Sequence, residues 1–212
     1  PVNTVPGTQT VNEDTPLVIS GVSVSDANND VISTELSVND GVLNVTLAGS
    51  ATISAGANGS SGLTITGTQA DINSTLASIT YQGNADFYGA DTLTVISTDS
   101  TADVDTDTVT INVTGVTDAA DDTVSTAENV AVTATVTGND AFEGTPVYVI
   151  NDDAGNGTVV DNGSGSYTYT PDPGFTGTDT FTVVVTSGGA TETSTVTVTV
   201  DPVNNPPSVT AT

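Results

Sequence analysis

Along most of this chain apolar and polar residues alternate with a period of two. The runs are short, and clusters of Gly, Asn, Asp and Ser separate them. Such alternation places every second side chain on one face and predicts half-buried β-strands bounded by turns. In the first half it marks strands near residues 8–11, 17–24, 33–38, 43–47, 63–66, 79–82, 91–96 and 108–113. One stretch changes period: Thr68 can cap a helix, Asp71 falls in its first turn, and Ile72, Leu76 and Ile79 share one face. In the second half, residues 158–170 read as a hairpin turning at Asp161-Asn162-Gly163-Ser164-Gly165. Regularly spaced short strands with polar turns predict an all-β fold of tandem β-sandwich domains, with one short helix in the first.

The pattern also repeats. Phe87-Tyr88-Gly89-Ala90-Asp91 returns as Phe175-Thr176-Gly177-Thr178-Asp179, and each copy is followed by an alternating strand. Asn12-Glu13-Asp14 and Ala127-Glu128-Asn129 occupy matching early positions. Pro1-Val2-Asn3-Thr4-Val5-Pro6 resembles Pro202-Val203-Asn204-Asn205-Pro206-Pro207, and Val116-Thr117-Asp118-Ala119-Ala120 is a worn copy between them. Position-specific internal similarity of this kind is the signature of a repeat array. The domains are read as 1–118, which carries an insertion, and a shorter 119–207. Residues 208–212 begin the next linker or domain.

Charge changes the picture most. The chain has 26 Asp and Glu, no Lys, Arg or His, and a formal net charge of −26. No carboxylate can pair with a cationic side chain, so close acids must separate, become protonated or share a metal ion. Nothing basic is available for nucleic acid or for an anionic membrane surface. No apolar run is long enough for a membrane helix, so no membrane insertion is expected. Cysteine is absent, which removes disulfides and thiolate metal sites. The absence of His, Cys, Lys and Arg also removes most general bases and nucleophiles, so no enzyme is expected. Hard oxygen donors are what the chain has in excess, and Ca²⁺ is the ion they suit.

Strands running alternately up and down would sort these acids to the domain ends. Glu13, Asp91 and Asp118 fall at the lower end of the first domain, where Asp122, Asn139 and Asp140 of the second would meet them. Glu128, Asp179 and Asn204 fall at the lower end of the second domain. Asp26, Asp30 and Asp99, with Asn3, fall at the upper end of the first. A single Asp in a turn is ordinarily a solvated turn residue. The set as a whole is read as metal-ligating, because acids distant in sequence converge at the same ends in both repeats.

At these motifs the chain resembles the bacterial cadherin-like and Ig-like tandem repeats that act as extender domains of RTX-type calcium-dependent adhesins. Gly165-Ser166-Tyr167-Thr168-Tyr169-Thr170-Pro171 is similar to that family as well. The resemblance implies type I secretion, Ca²⁺ at domain junctions, and a filament anchored at the outer membrane of a Gram-negative cell. It also implies ligand roles for Glu13, Asp91, Asp118, Glu128, Asp179 and Asn204. Two departures stand out: the middle linker lacks the usual Asn and Pro, and Ser187-Gly188-Gly189 has no acid where the first domain has Asp99.

The function expected is therefore that of a secreted, calcium-rigidified spacer, monomeric, whose partners are neighbouring repeats of the same chain. The alternative is a module that recognises a surface polysaccharide. Against it stand the absence of Trp and a supply of only five Tyr, several of which the alternation makes core or edge residues. A Thr-rich strand at residues 193–199 is read as an ordinary strand with its β-branched polar face outward.

Overall fold

A computed structural model describes residues 1–204. The expected linker residues Asn205, Pro206 and Pro207, and residues 208–212, lie outside the described residues. The chain divides into two compact units, Pro1–Val116 and Thr117–Thr212.

In the first unit the strands are β1 (Val2–Thr4), β2 (Gln9–Asn12), β3 (Leu17–Val18), β4 (Ser23–Ser25), β5 (Val31–Ser37), β6 (Gly41–Asn44), β7 (Thr52–Gly56) and β8 (Gly62–Thr66). Helix α1 (Gln69–Leu76) follows, then β9 (Thr80–Gly83), β10 (Gly89–Asp99) and β11 (Val104–Thr114). A six-stranded sheet, β2-β11-β10-β5-β8-β7, faces a three-stranded sheet, β3-β9-β6, and β1 pairs with β4. Alternation supplies the core. Leu36, Leu63, Ile65, Leu93, Val95, Val109 and Ile111 of the large sheet pack against Ile19, Leu43 and Tyr81, all nearly inaccessible to solvent.

The helix begins as expected, with the Thr68 hydroxyl accepting the Asp71 N–H and Ile72 and Leu76 buried. Ile79 is buried too, but beyond the helix end, where its carbonyl accepts the Ile19 N–H. Asn73 fixes the helix to β4: its Oδ1 accepts the Val24 N–H and its Nδ2 donates to the Val24 carbonyl. Two further strand readings differ from the structure. Residues 17–24 are not one strand but two, because Gly21 takes a left-handed φ of 87° between them. Strand β7 is an addition. Its small, mostly exposed residues lack alternation, and a bulge interrupts its pairing with β8.

The second unit is simpler. Strands β12 (Asp122–Ala127), β13 (Val132–Thr135), β14 (Val147–Ile150), β15 (Gly157–Gly163), β16 (Ser166–Pro171), β17 (Gly177–Ser187) and β18 (Ala190–Asp201) form two sheets, β12-β18-β17-β14 and β13-β16-β15. Phe181, Val183, Val185, Val196, Val198 and Val200 of one sheet meet Val159, Tyr167 and Tyr169 of the other. The Tyr167 and Phe181 rings meet edge to face at 4.9 Å.

The two units share one topology. In each, the penultimate and last strands form a long antiparallel pair, and an early strand runs parallel to the last one, β2 on β11 and β12 on β18. This register puts residues 12–14, the start of β10 and the end of β11 at one end of the first unit. The β4–β5 turn and the β10–β11 turn lie at the other.

Candidate functional site

The Asp of each Phe-x-Gly-x-Asp motif opens a penultimate strand and turns inward. Asp91 is 2 % exposed, and its Oδ1 accepts N–H bonds from Asn39 and Thr92 while Oδ2 accepts from Asp40. Asp179 does the same in the second unit. Oδ1 accepts from Gly155 and Thr180, and Oδ2 from Asn156 and from the Tyr169 hydroxyl at 2.9 Å. Burial alone would raise the Asp179 pKa. The Tyr169 hydroxyl and the N–H groups of Asn156, Thr180 and Gly155 outweigh it and hold the carboxyl below the usual range. Burial, then the bonded Asp179, push the Tyr169 hydroxyl well above its ordinary value. In the first unit, burial and then the Asp91 charge push Tyr81 in the same direction.

The surroundings repeat as faithfully as the acid. The carbonyls of Asp40 and Asn156 accept from the Tyr81 and Tyr169 hydroxyls and from the N–H groups of Asn84 and Asp172. Gly41 and Gly157 follow, and a Cβ on either would collide with the ring of that tyrosine.

Glu13 and Glu128 hold the segment that leaves each unit. Glu13 donates its N–H to the Thr114 carbonyl and accepts the Val116 N–H at Oε1. Glu128 donates to Asp201 and accepts the Val203 N–H at 2.9 Å. The incoming segments are held by acids that sequence reasoning missed. Asp105 Oδ2 accepts the Asn3 N–H at 2.6 Å, and Glu192 Oε2 accepts the N–H groups of Asp118 and Ala119 at 2.9 and 2.8 Å. Both sit inside a last strand, β11 or β18, with no turn signal around them. The only cue is that an acid stands at the matching place in both repeats. Asn3 is not among the upper acids. It is fully engaged with Val95, Ser97 and Asp105.

Asp26, Asp30 and Asp99 do come together. One carboxylate oxygen from each lies within 4.8 Å of the others. The β4–β5 turn delivers Asp26 and Asp30, and the end of β10 delivers Asp99. Each is oriented by hydrogen bonds to one of its oxygens. Asp26 Oδ1 accepts the Asn28 N–H, Asp30 Oδ2 accepts the Ser100 hydroxyl, and Asp99 Oδ1 accepts from Thr101 and the Asp103 N–H. Asp30 Oδ1 is enclosed with no hydrogen-bond partner. The Pro1 ammonium lies 3.0 Å from Asp26 Oδ2 and 3.7 Å from Asp99 Oδ2. The Asn28 N–H first, then that ammonium, hold Asp26 below the usual carboxylate range. At Asp99, burial pushes upward, but Thr101 and the Asp103 N–H prevail and the net shift is downward.

At the start of the second unit, Asp121 Oδ1 accepts the Thr195 N–H, Asp140 Oδ1 accepts the Ala120 N–H, and Asn139 donates to the Asp121 carbonyl. Asp122 Oδ2 is enclosed without a hydrogen bond. Burial first, then the charges of Asp140 and Asp121, raise its pKa to about 6. Asn204 is exposed. Of the predicted residues, the structure gathers Asp26, Asp30 and Asp99 in one place and sets Asp122 near Asp140. Asp91, Glu128 and Asp179 each face a backbone segment of their own.

Residues 116–199 match the family model of a bacterial Ig domain, and residues 21–109 match that of the Protein GAMETE EXPRESSED 2 domain. No curated protein matches the chain. Among solved structures, the endo-fucoidan hydrolase MfFcnA4 from glycoside hydrolase family 107 is 14 % identical with a TM-score of 0.34, covering 94 % of this chain and 28 % of that one. Mouse clustered PcdhgC3 EC1-3 is 16 % identical with a TM-score of 0.32, covering 95 % and 68 %. The titin domains z1z2 in complex with telethonin are 15 % identical with a TM-score of 0.31, covering 96 % and 97 %. The chain spans about a third or less of the hydrolases it matches. The described residues contain no helix long and apolar enough to cross a membrane. By its sheets, its strand pairing and the Ig-domain match of its second unit, the chain is a tandem of all-β, Ig/cadherin-like sandwich repeats.

Proposed function

We propose that this chain is a calcium-dependent spacer segment of a secreted bacterial surface adhesin, without catalytic activity of its own. The observation that carries the reading is the convergence of Asp26, Asp30 and Asp99 at one end of the first unit, in a chain with no Lys, Arg or His. The donor set fits the ion. Each carboxylate is oriented through one oxygen; of the others, Asp30 Oδ1 has no hydrogen-bond partner, and Asp26 Oδ2 and Asp99 Oδ2 face the Pro1 ammonium, whose charge a preceding residue would remove. Hard anionic oxygens supplied by two turns, with room for carbonyl and water ligands, are what Ca²⁺ takes in its loose six- to eight-fold coordination. A bound ion would join the β4–β5 turn to the β10–β11 turn and relieve their mutual repulsion. Extracellular modules bind Ca²⁺ weakly, on the order of 10⁻⁴–10⁻³ M, so the outside medium can load such a site.

Thermal melting in Ca²⁺ and in EDTA tests this, using protein extended at its N-terminus so that Pro1 carries no ammonium charge. At a hundredfold excess over Kd, Ca²⁺ should add about 2.7 kcal/mol to the first unit. The gain should vanish in the Asp30→Asn, Asp99→Asn double variant. Identical melting of the wild type in both buffers would refute the reading.

A polysaccharide-binding role has one surface in its favour. An open groove of about 390 Å³ is lined by Glu35, Ser60, Ser61 and Thr64 beside β7 and β8. Its lining contains no aromatic ring, so a sugar there would be held by hydrogen bonds alone. Glycan-array binding that Glu35→Ala abolishes would favour this role.

A further inference from the structure

Three Asn-Gly pairs occur in the chain, Asn58-Gly59, Asn156-Gly157 and Asn162-Gly163. In each, the glycine N–H can attack the preceding side-chain amide, because no Cβ shields the nucleophile. The reaction needs the backbone nitrogen and the amide carbon to reach a near-attack geometry, so the local fold decides which pair reacts.

Two of the pairs are held. Both ends of the Asn58 side chain are bound to Val45, with Oδ1 accepting its N–H at 2.8 Å and Nδ2 donating to its carbonyl at 2.9 Å. The Gly59 N–H is bonded to the carbonyl of the fully buried Leu43 at 2.9 Å. Nucleophile and electrophile are thus fixed on neighbouring backbone. Asn156 is fixed through its main chain. Its N–H goes to Asp179, and its carbonyl accepts from Tyr169 and Asp172. Gly157 lies against the Tyr169 ring, so the rotation that ring closure requires would disturb the Asp179 network.

Asn162 has none of these restraints. It is the bulged residue between Asp161 and Gly163 in the β15–β16 hairpin, outside the strand pairing and exposed. Its Nδ2 donates to the Thr168 hydroxyl at 3.0 Å on an exposed face. The Gly163 N–H is held at 2.7 Å by Oδ1 of exposed Asp161, whose Oδ2 accepts the Ile150 N–H at a longer 3.3 Å. Gly163 has a φ of 87°, and no heavy atom lies within 4 Å of where a Cβ would be.

The geometry points to Asn162 as a site of spontaneous deamidation, with Asn58 and Asn156 protected by the fold. The Gly163 nitrogen bonds to Asn162 Cγ and the Cγ–Nδ2 bond breaks. Ammonia leaves with the proton that the Gly163 nitrogen gave up, and a succinimide remains. Water then opens either imide carbonyl and leaves an aspartate, or a β-linked aspartate with one more carbon in the backbone. The hairpin tip gains a negative charge beside Asp161, and Thr168 loses its amide donor. The exposed tip therefore ages chemically while Asn156 of the same unit does not.

Folded protein kept warm at mildly alkaline pH, cleaved N-terminal to Asp and mapped by mass spectrometry, resolves the three sites. Conversion at Asn162 should run at least about tenfold faster than at Asn58 or Asn156, a barrier difference of about 1.4 kcal/mol. In denaturant the three rates should converge. Asn162→Gln should remove the first charge step seen on isoelectric focusing. The inference fails if Asn58 or Asn156 keeps pace with Asn162 in the folded protein, or if the spread of rates survives denaturation. An unchanged first charge step in Asn162→Gln would overturn it as well.

Discussion

Replacing Asp179 by Ala removes the acceptor of four donors, the N–H groups of Gly155, Asn156 and Thr180 and the Tyr169 hydroxyl. Hydrogen bonds to a charged group contribute about 1.5–3 kcal/mol each, but those converging on one carboxylate do not add. Breaking such a network typically costs about 3–5 kcal/mol, because the donors stay enclosed and unsatisfied. For a unit of this size about 4 kcal/mol lowers Tm by roughly 15–30 °C. Tyr169→Phe removes one of the four donors, together with the hydroxyl's contact to the Asn156 carbonyl, and should cost about 1.5 kcal/mol. The pH dependence has a definite sign. Asp179 is held below its ordinary value of 3.8 in the folded protein, so its contribution is present above that pH and is lost as pH falls through the lower folded value. Wild type and Asp179→Ala should therefore converge in acid. Calorimetry in Ca²⁺ and in EDTA separates hydrogen bonding from ion binding. The loss should be equal in both buffers if the carboxylate acts on the backbone. A loss that appears only in Ca²⁺ would refute the hydrogen-bond account and return Asp179 to the role of a ligand.

Two smaller changes probe the same unit. Gly157→Ala places a methyl 2.6 Å from Tyr169 ring atoms that hydrogen bonds hold still, and should cost about 1–3 kcal/mol in chemical denaturation. A neutral result would mean that the ring is free to move. Asp122→Asn should act in the opposite direction. The folded pKa is raised to about 6, so the acid form favours folding below pH 3.8 and that contribution is lost as pH rises through 6. The variant should gain about 1–3 kcal/mol at pH 7 and nothing near pH 4, and a gain independent of pH would exclude titration as its cause.

Much of the fold is written plainly in the sequence. Period-two alternation marks the strands that carry the core, from Leu36 to Val113 and from Val159 to Val200. Thr68 and Asp71 announce the helix, and the two Phe-x-Gly-x-Asp copies align the units. What stays hidden has a physical reason in each case. Strand β7 is recruited mainly by pairing with β8 and sends only Ile53 toward the core, so its sequence has no alternating apolar face to display. The break at Gly21 depends on a left-handed backbone, which any Gly permits and none demands. Among the acids, Asp26, Asp30 and Asp99 were legible because two turns at the same end carry them. Asp105 and Glu192 were not, because an acid within an alternating strand looks like any outward polar residue. Asp91 and Asp179 show the deeper difficulty. An acid that holds an ion and an acid that holds backbone N–H groups occupy the same kind of position before a strand, and only the returning loop tells them apart.

That ambiguity bears on how a chain without cationic side chains keeps its turns in place. With no Lys, Arg or His side chain, the carboxylates draw mainly on hydroxyls and backbone N–H groups, and the repeated acids use the latter. Glu13 and Glu128 take the N–H of the departing segment, Asp105 and Glu192 that of the arriving one, and Asp91 and Asp179 those of the loop between the sheets. Asp91 and Asp179 each accept three N–H groups and Glu192 accepts two, so backbone donors stand where a cationic side chain would. Where acids meet, as at Asp26, Asp30 and Asp99, the Pro1 ammonium stands beside Asp26 and Asp99, and Asp30 Oδ1 has no hydrogen-bond partner. The division predicts two classes of response. Neutralising an N–H-bound acid should destabilise its unit whatever the buffer contains. Neutralising one of the gathered acids should cost stability only when Ca²⁺ is present, and should relieve repulsion when it is not.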